Sequence, residues 1–178
     1  MPDGRFEVEF TSPAQAGQWP EDAASGPTGA EAPEFRFSAN KGEAPRALQK
    51  VASGGELSRV FLALKGALRG AGAPMVLVFD EVDAGIGGRA AERVGRALAE
   101  LAQRHQVLCI THLPQIAVFA DRHFRVEKTE ARGRVRARIV SLDADGRVEE
   151  IARMAGGEAI SEATRAHARE LLAAATPG

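Results

Sequence analysis

Residues 52–59 read ASGGELSR, and the neighbouring sequence takes its meaning from them. Ser53 can cap a helix, and Glu56 follows three residues later, the spacing of a capping box. Beyond it, Leu57, Val60, Phe61, Leu64 and Leu68 recur at helical period and predict one apolar stripe packed on a core. Gly54 and Gly55 permit a sharp turn and the close approach of another group. A glycine-lined helix N-terminus, with unsatisfied N–H groups at the positive end of the dipole, suits an anion such as a phosphate. The same residues also describe a well-capped helix with no ligand, and this stretch alone leaves both readings open.

Downstream, Gly70 to Pro74 closes that helix. MVLVF, Met75 to Phe79, is a continuous apolar run and predicts a strand buried on both faces. It leads into Asp80 and Glu81, then into a loop carrying Gly85, Gly87 and Gly88. A helix is expected over about 89–104, with Ala90, Val94, Ala97, Leu98 and Leu101 inward. QVLCIT, Gln106 to Thr111, predicts a second buried strand ending at His112, and LPQIAVFA a short helix. Buried strands alternating with helices argue for a parallel sheet and an α/β fold. HFRVEKT and RVRARIVSL then predict two strands joined near 131–133 as a β-hairpin. Helices near 147–155 and 161–174 close the chain; Glu149, Glu150 and Arg153 make the first a charged surface helix, with Ile151 and Met154 inward.

Upstream, FEVEF and EFRFSA alternate and predict an edge hairpin around a Pro/Gly/Ala/Ser-rich loop, Thr11 to about Pro33, expected to be long or partly disordered. The expected organisation is an N-terminal strand and flexible loop over 1–33 and a lobe over 34–178. At 178 residues the chain is long enough for one sizeable core. Hydrophobic content of 44% and charged content of 26% are ordinary for a soluble globular protein. With a net charge of −1, any nucleic-acid contact must come from a local patch. The single Cys109 allows no disulfide within the chain, which fits a reducing cytosol. No membrane-spanning run or signal peptide is visible, so a cytoplasmic protein is expected.

Three signals carry chemistry. An apolar strand delivers its C-terminal residues to the crevice where open α/β sheets bind ligands. There Asp80 can hold Mg²⁺ on a nucleotide, and Glu81 can orient and polarise an attacking water; two solvated carboxylates are the competing reading. His112, at the end of the next strand, can donate to a phosphate or be satisfied locally. With SGGE before them and a helix between each pair, the order and spacing are hard to obtain by chance.

SGGE resembles the signature motif of ABC-type ATPases, VLVFDE their Walker B strand, and His112 their switch histidine. The longer strings FSANKGE, KVASGGELSRVFLALK, VFDEVDAGIGG, QVLCITHLPQIA and EIARMAGG resemble the C-terminal part of the RecN family, bacterial DNA-repair relatives of the SMC proteins. The resemblance runs from about Phe35 to the end. It implies the C-terminal lobe of an SMC-like head, in which two heads sandwich ATP during DNA double-strand-break repair. By matching position Asp80 would help hold Mg²⁺, Glu81 would be the catalytic base and His112 would sense the γ-phosphate. Ser53, Gly54 and Gly55, with Glu56, would meet ATP bound to the opposite head. The loop from Asp83 to Gly88 would lie at the dimer interface, with Asp83 near the nucleotide. Gly87 stands where related proteins usually have Asp, so no carboxylate role carries over to it.

None of the lysines, Lys41, Lys50, Lys65 and Lys128, sits in the G-x-x-x-x-G-K-[ST] pattern of a P-loop. The resemblance therefore implies half of a composite site, with partners in an N-terminal P-loop lobe, its coiled coil, a second head and DNA, and a nucleoid-associated location. The competing classes are a non-catalytic dimerisation module and half of a transporter-type ATPase. For DNA, Arg134, Arg136 and Arg138 alternate along one strand and Arg125 lies on the preceding one. The alternation predicts these arginines on an outer face, with Phe124, Val126, Val135, Ala137 and Ile139 turned to the core. The other use of such a face is a charged edge that resists aggregation.

Overall fold

The computed structural model describes residues 4–11, 31–38, 42–50, 53–68, 72–131, 134–157 and 159–175. The proposed loop residues 12–30, the Val51–Ala52 approach to the signature, Gly70 and Arg132 lie outside the described residues. The chain forms two compact units, Met1–Ser53 and Gly54–Gly178.

In the first unit β1 (Arg5–Thr11) pairs antiparallel with β2 (Ala32–Ser38), placing Phe6 opposite Phe37 and Val8 opposite Phe35. The hairpin expected from the alternating runs is present, and the Phe6 and Phe35 rings pack at 5.6 Å. A short β3 (Arg46–Ala47) extends this sheet from β2, and a 3-10 turn follows over Leu48–Lys50.

The second unit is built on a parallel pair. Helix α1 (Gly54–Ala67) precedes β4 (Val76–Phe79), α2 (Gly88–Ala102) and β5 (Gln106–Cys109). Strands β4 and β5 pair in parallel, Val76 with Gln106 through Phe79 with Cys109, as buried strands joined by a helix require. Leu62, Leu77, Phe79, Val82, Ala91, Leu98, Leu101 and Ile116 form the core around them. A second core joins the short α3 (Pro114–Ala117) to α4 (Ala144–Gly156) and α5 (Glu162–Ala175) through Ala117, Val118, Ile151, Ala152 and Ala168. Between them β6 (Phe124–Ala131) and β7 (Arg134–Ser141) form the expected hairpin.

Burial departs from expectation in a consistent way. Strand β4 is covered on one face only: Leu77 and Phe79 are buried, while Val76 and Val78 are 61% and 60% exposed. On β5 and just beyond it, Leu108 and Ile110 are exposed as well. The stripe read on α1 is split, since Val60 is buried but Leu57, Phe61 and Leu68 are exposed. The helix is apolar on more than one side: Gly55 and Leu62 lie on one side, Leu62 in the core, and Val60 is buried on nearly the opposite side. On α2 the buried positions are Ala91, Gly95, Leu98 and Leu101, with Ala90 outside. On α4 Ile151 is inward as read, but Glu150 is buried at 4% exposure, where its ion pairs hold it, and is not a surface charge.

The hairpin exposes the apolar face that the sequence turns inward, while Arg136 and Arg138 on the other face are exposed as read. Val135 and Ile139 are 70% exposed, and Phe124 and Val126 are exposed with them. The opposite face, at Arg125 and Glu127, is the one that meets α4, through Arg125 and Glu150 at 3.7 Å. An ion pair to a buried carboxylate fixes that orientation, and alternation then turns the apolar neighbours outward.

Candidate functional site

Because β4 and β5 are neighbours running the same way, their ends bring Asp80–Glu81 and Thr111–His112 to one edge of the sheet. The loop after β4 folds back against the start of α1. Ser58 Oγ donates to the Asp80 carbonyl at 2.9 Å, and Arg59 Nη1 donates to the carbonyls of Val82 at 3.2 Å and Ala84 at 2.8 Å. Gly55 is buried at this junction; a β-carbon there would sit 2.7 Å from both the Ala84 Cβ and the Glu81 carbonyl oxygen. A β-carbon on Gly54 would meet Glu81 Oε2 at 2.8 Å. The glycines therefore admit the loop to the helix, and the Glu81 carboxylate rests over the helix start.

Glu81 itself has φ of 55°, the left-handed region that non-glycine residues seldom occupy. Its N–H donates to Asp80 Oδ1 at 2.9 Å, and its carbonyl accepts from Ala84 N at 2.9 Å. These bonds and the α1 brace hold a conformation costing about 1–3 kcal/mol, of the kind that concentrates at functional sites. Asp80 and Glu81 are both exposed. The Asp80 carboxylate spends one lone pair on the Glu81 amide and keeps capacity for a cation or its water. Among the described residues no group of three or more His, Cys, Asp or Glu could hold a metal alone. Mg²⁺ bound through one carboxylate, phosphates and water fits this donor set.

Asp83, expected near the nucleotide, is buried. Its side chain is 5% exposed, and Oδ2 accepts from Thr111 Oγ1 at 2.6 Å and from His112 N at 2.9 Å. His112 Nδ1 lies 3.0 Å from the same oxygen, with the imidazole 77% exposed. Burial pushes the Asp83 carboxyl upward, but hydrogen bonds from Thr111 and His112, with the His112 charge, outweigh it and hold it below the usual value. Burial raises the Cys109 thiol to about 12, assisted by Asp83 and Asp80, so Cys109 is an inert thiol beneath the site.

Helix α1 begins at Gly54, immediately after Ser53, where a capping residue belongs. Glu56 stands in its first turn. The arginines divide. Arg125 pairs with Glu127 and Glu150. Arg136 and Arg138 are exposed and pair in the ladder with Thr129 and Glu127. Arg134 pairs with Ala131, and its side chain lies outside the described residues. Sequence reasoning missed Arg59. Its only signal was its place one turn after Gly55, and the significance of that spacing depends on which loop approaches the glycine.

The start of α1, the end of β4 and the His112 loop thus gather on a parallel pair flanked by helices, and the fold is that of SMC head domains. A solved Smc head domain with a coiled coil and joint from Pyrococcus yayanosii shares the fold, with a TM-score of 0.56 and 22% identity over 84% of this chain and 26% of that one. No family model matches the chain. The DNA repair protein RecN of Xylella fastidiosa (strain Temecula1) is 51% identical over 146 residues, 82% of this chain and 26% of that protein. RecN of Halalkalibacterium halodurans is 43% identical over 171 residues, 96% of this chain and 29% of that one. Over most of its length the chain is similar to RecN proteins, and it spans about a quarter of the length of the curated relatives it matches.

Proposed function

We propose that the chain is the C-terminal half of an ATP-hydrolysing, SMC-like head that acts in DNA double-strand-break repair and recombination. The observation that carries this reading is the convergence of Glu81, held in a left-handed backbone, with the start of α1 and the end of β4. Glu81 orients and polarises a water. Asp80 takes the metal or a water bound to it. His112 faces the γ-phosphate, and the N–H groups at Gly54, Gly55 and Glu56, with Ser53 before them, receive the phosphate of ATP held by a second head. When bound, ATP with Mg²⁺ supplies the phosphoryl group and the charge that the site is shaped to meet. The P-loop and coiled coil come from an N-terminal lobe, and the Asp83–Gly88 loop lies between two engaged heads.

The RecN relatives are named as DNA repair proteins, which supports a cytoplasmic, nucleoid-associated role. DNA contact falls to Arg136 and Arg138, since Arg125 is paired. Replacing both with Glu in the intact head should lower DNA affinity and flatten its salt dependence. For the ATPase, steady-state turnover is measured for the chain alone and after addition of a P-loop-bearing RecN lobe. Negligible turnover alone and magnesium-dependent turnover together are expected. Robust turnover by the chain alone contradicts the composite site.

A further inference from the structure

We propose that Asp83 is a positioning residue for His112: it fixes the proton on Nδ1 and presents Nε2 to the nucleotide. The part that concerns Nε2 rests on the function proposed above, whereas the part that concerns Nδ1 does not.

The geometry is that of a buried carboxylate behind an exposed imidazole. Asp83 Oδ2 accepts from Thr111 Oγ1 at 2.6 Å and from the His112 backbone N–H at 2.9 Å, and His112 Nδ1 lies 3.0 Å from the same oxygen. Two of these three groups belong to His112, so both its main chain and its ring face one oxygen. Thr111 Oγ1 in turn accepts from Leu113 N at 3.0 Å, which ties the hydroxyl and fixes its proton toward Asp83. A carboxylate is acceptor-only, and a bare Nδ1 lone pair would face its negative charge at 3.0 Å, so the contact favours hydrogen on Nδ1. The partner of one ring nitrogen sets the state of the other. Nε2 is then the nitrogen that accepts when the ring is neutral and donates when it is charged. The loop carrying Asp83 is itself pinned to α1 by Arg59, whose Nη1 bridges the carbonyls of Val82 and Ala84 on either side of Asp83. His112 is therefore referenced to the signature helix through a single buried residue.

Nitrogen-detected NMR on the chain reads the tautomer directly. Wild type at neutral pH is expected to show the Nδ1–H form. A ring protonated on Nε2 only, at a pH where it is neutral, would overturn the proposal with no variant needed. Asp83→Asn keeps the shape and removes the charge; loss of the Nδ1–H preference is expected, and an unchanged tautomer counts against it. Thr111→Val removes one donor to Asp83 and should leave the tautomer in place. In the head completed by its P-loop lobe, Asp83→Asn is expected to lower kcat about tenfold or more with KM for ATP nearly unchanged. The His112→Ala, Asp83→Asn double variant should then lose no more than His112→Ala alone, because residues acting as a unit are non-additive. Fully additive losses would assign Asp83 a role separate from His112. A head without ATPase activity would sink the function proposed above and leave the tautomer result standing.

Discussion

Glu81 joins a left-handed backbone to an exposed carboxylate, and only the second is needed for chemistry. Glu81→Gln keeps the backbone bonds and the side-chain shape. It should slow hydrolysis in a completed head by about 10²–10⁴-fold while sparing ATP binding, so that engaged heads accumulate. Near-normal turnover would place the base elsewhere. Glu150 is the other informative carboxylate. The Arg153 hydrogen bond lowers its pKa against the opposing effect of burial, helped by the charges of Arg153, Arg125 and His123. Its folded value therefore lies below the ordinary 4.5, and the unfolded chain binds the proton more readily. The stability it contributes is fully present above pH 4.5 and is lost as pH falls through the lower folded value. Glu150→Gln should cost about 1–3 kcal/mol near neutrality. The gap from wild type should narrow under acid, read from urea midpoints over a pH series. A gap independent of pH would mean that the charge is not what stabilises α4.

The start of α1 and the loop after β4 meet through two adjacent glycines that differ in what confronts them. An added methyl at Gly55 strikes a carbonyl oxygen and the Ala84 Cβ at 2.7 Å, with no side chain able to swing away. Gly55→Ala should destabilise the lobe by about 1–3 kcal/mol, as overpacking does. At Gly54 the obstacle is the far end of Glu81, a flexible group. Gly54→Ala should leave the thermal midpoint close to wild type yet lower turnover, because the carboxylate must leave the helix start. Equal loss of stability in both variants would argue against this division. The sequence motif marked both glycines without separating them, since the difference lies in what crosses from residues 81–84. Elements were legible wherever period and length agreed: the parallel pair, both hairpins and the main helices follow from local pattern. The hydrogen-bond partners of Asp83, Thr111 and His112, were not legible, because they lie 28 and 29 residues away and no local pattern announces them.

Across the whole chain, the misread faces share one cause. Apolar runs state that a face will be covered but not by what, so β4, α1 and the hairpin were each assigned to this chain's own core. Val76, Val78, Leu108 and Ile110 instead leave one side of the parallel pair bare, and Leu57, Phe61 and Leu68 do the same on α1. Clustered exposed apolar side chains mark interaction surfaces. The occupant consistent with the proposed function is a P-loop lobe, and the curated relatives are about four times as long as the matched part of this chain. Burying one valine contributes roughly 1.5–3 kcal/mol, about a tenfold to hundredfold effect on affinity. Val78 lies in the middle of β4 on the bare face, opposite the buried Leu77 and Phe79, so a charge there should spare this lobe's core. Val78→Lys should weaken association with the P-loop lobe by at least tenfold and abolish restored turnover, while circular dichroism of the chain stays as in wild type. Titration calorimetry against the lobe separates the alternatives. If the face instead joins two copies of this chain, the substitution will shift the chain's own dimerisation and leave lobe affinity unchanged.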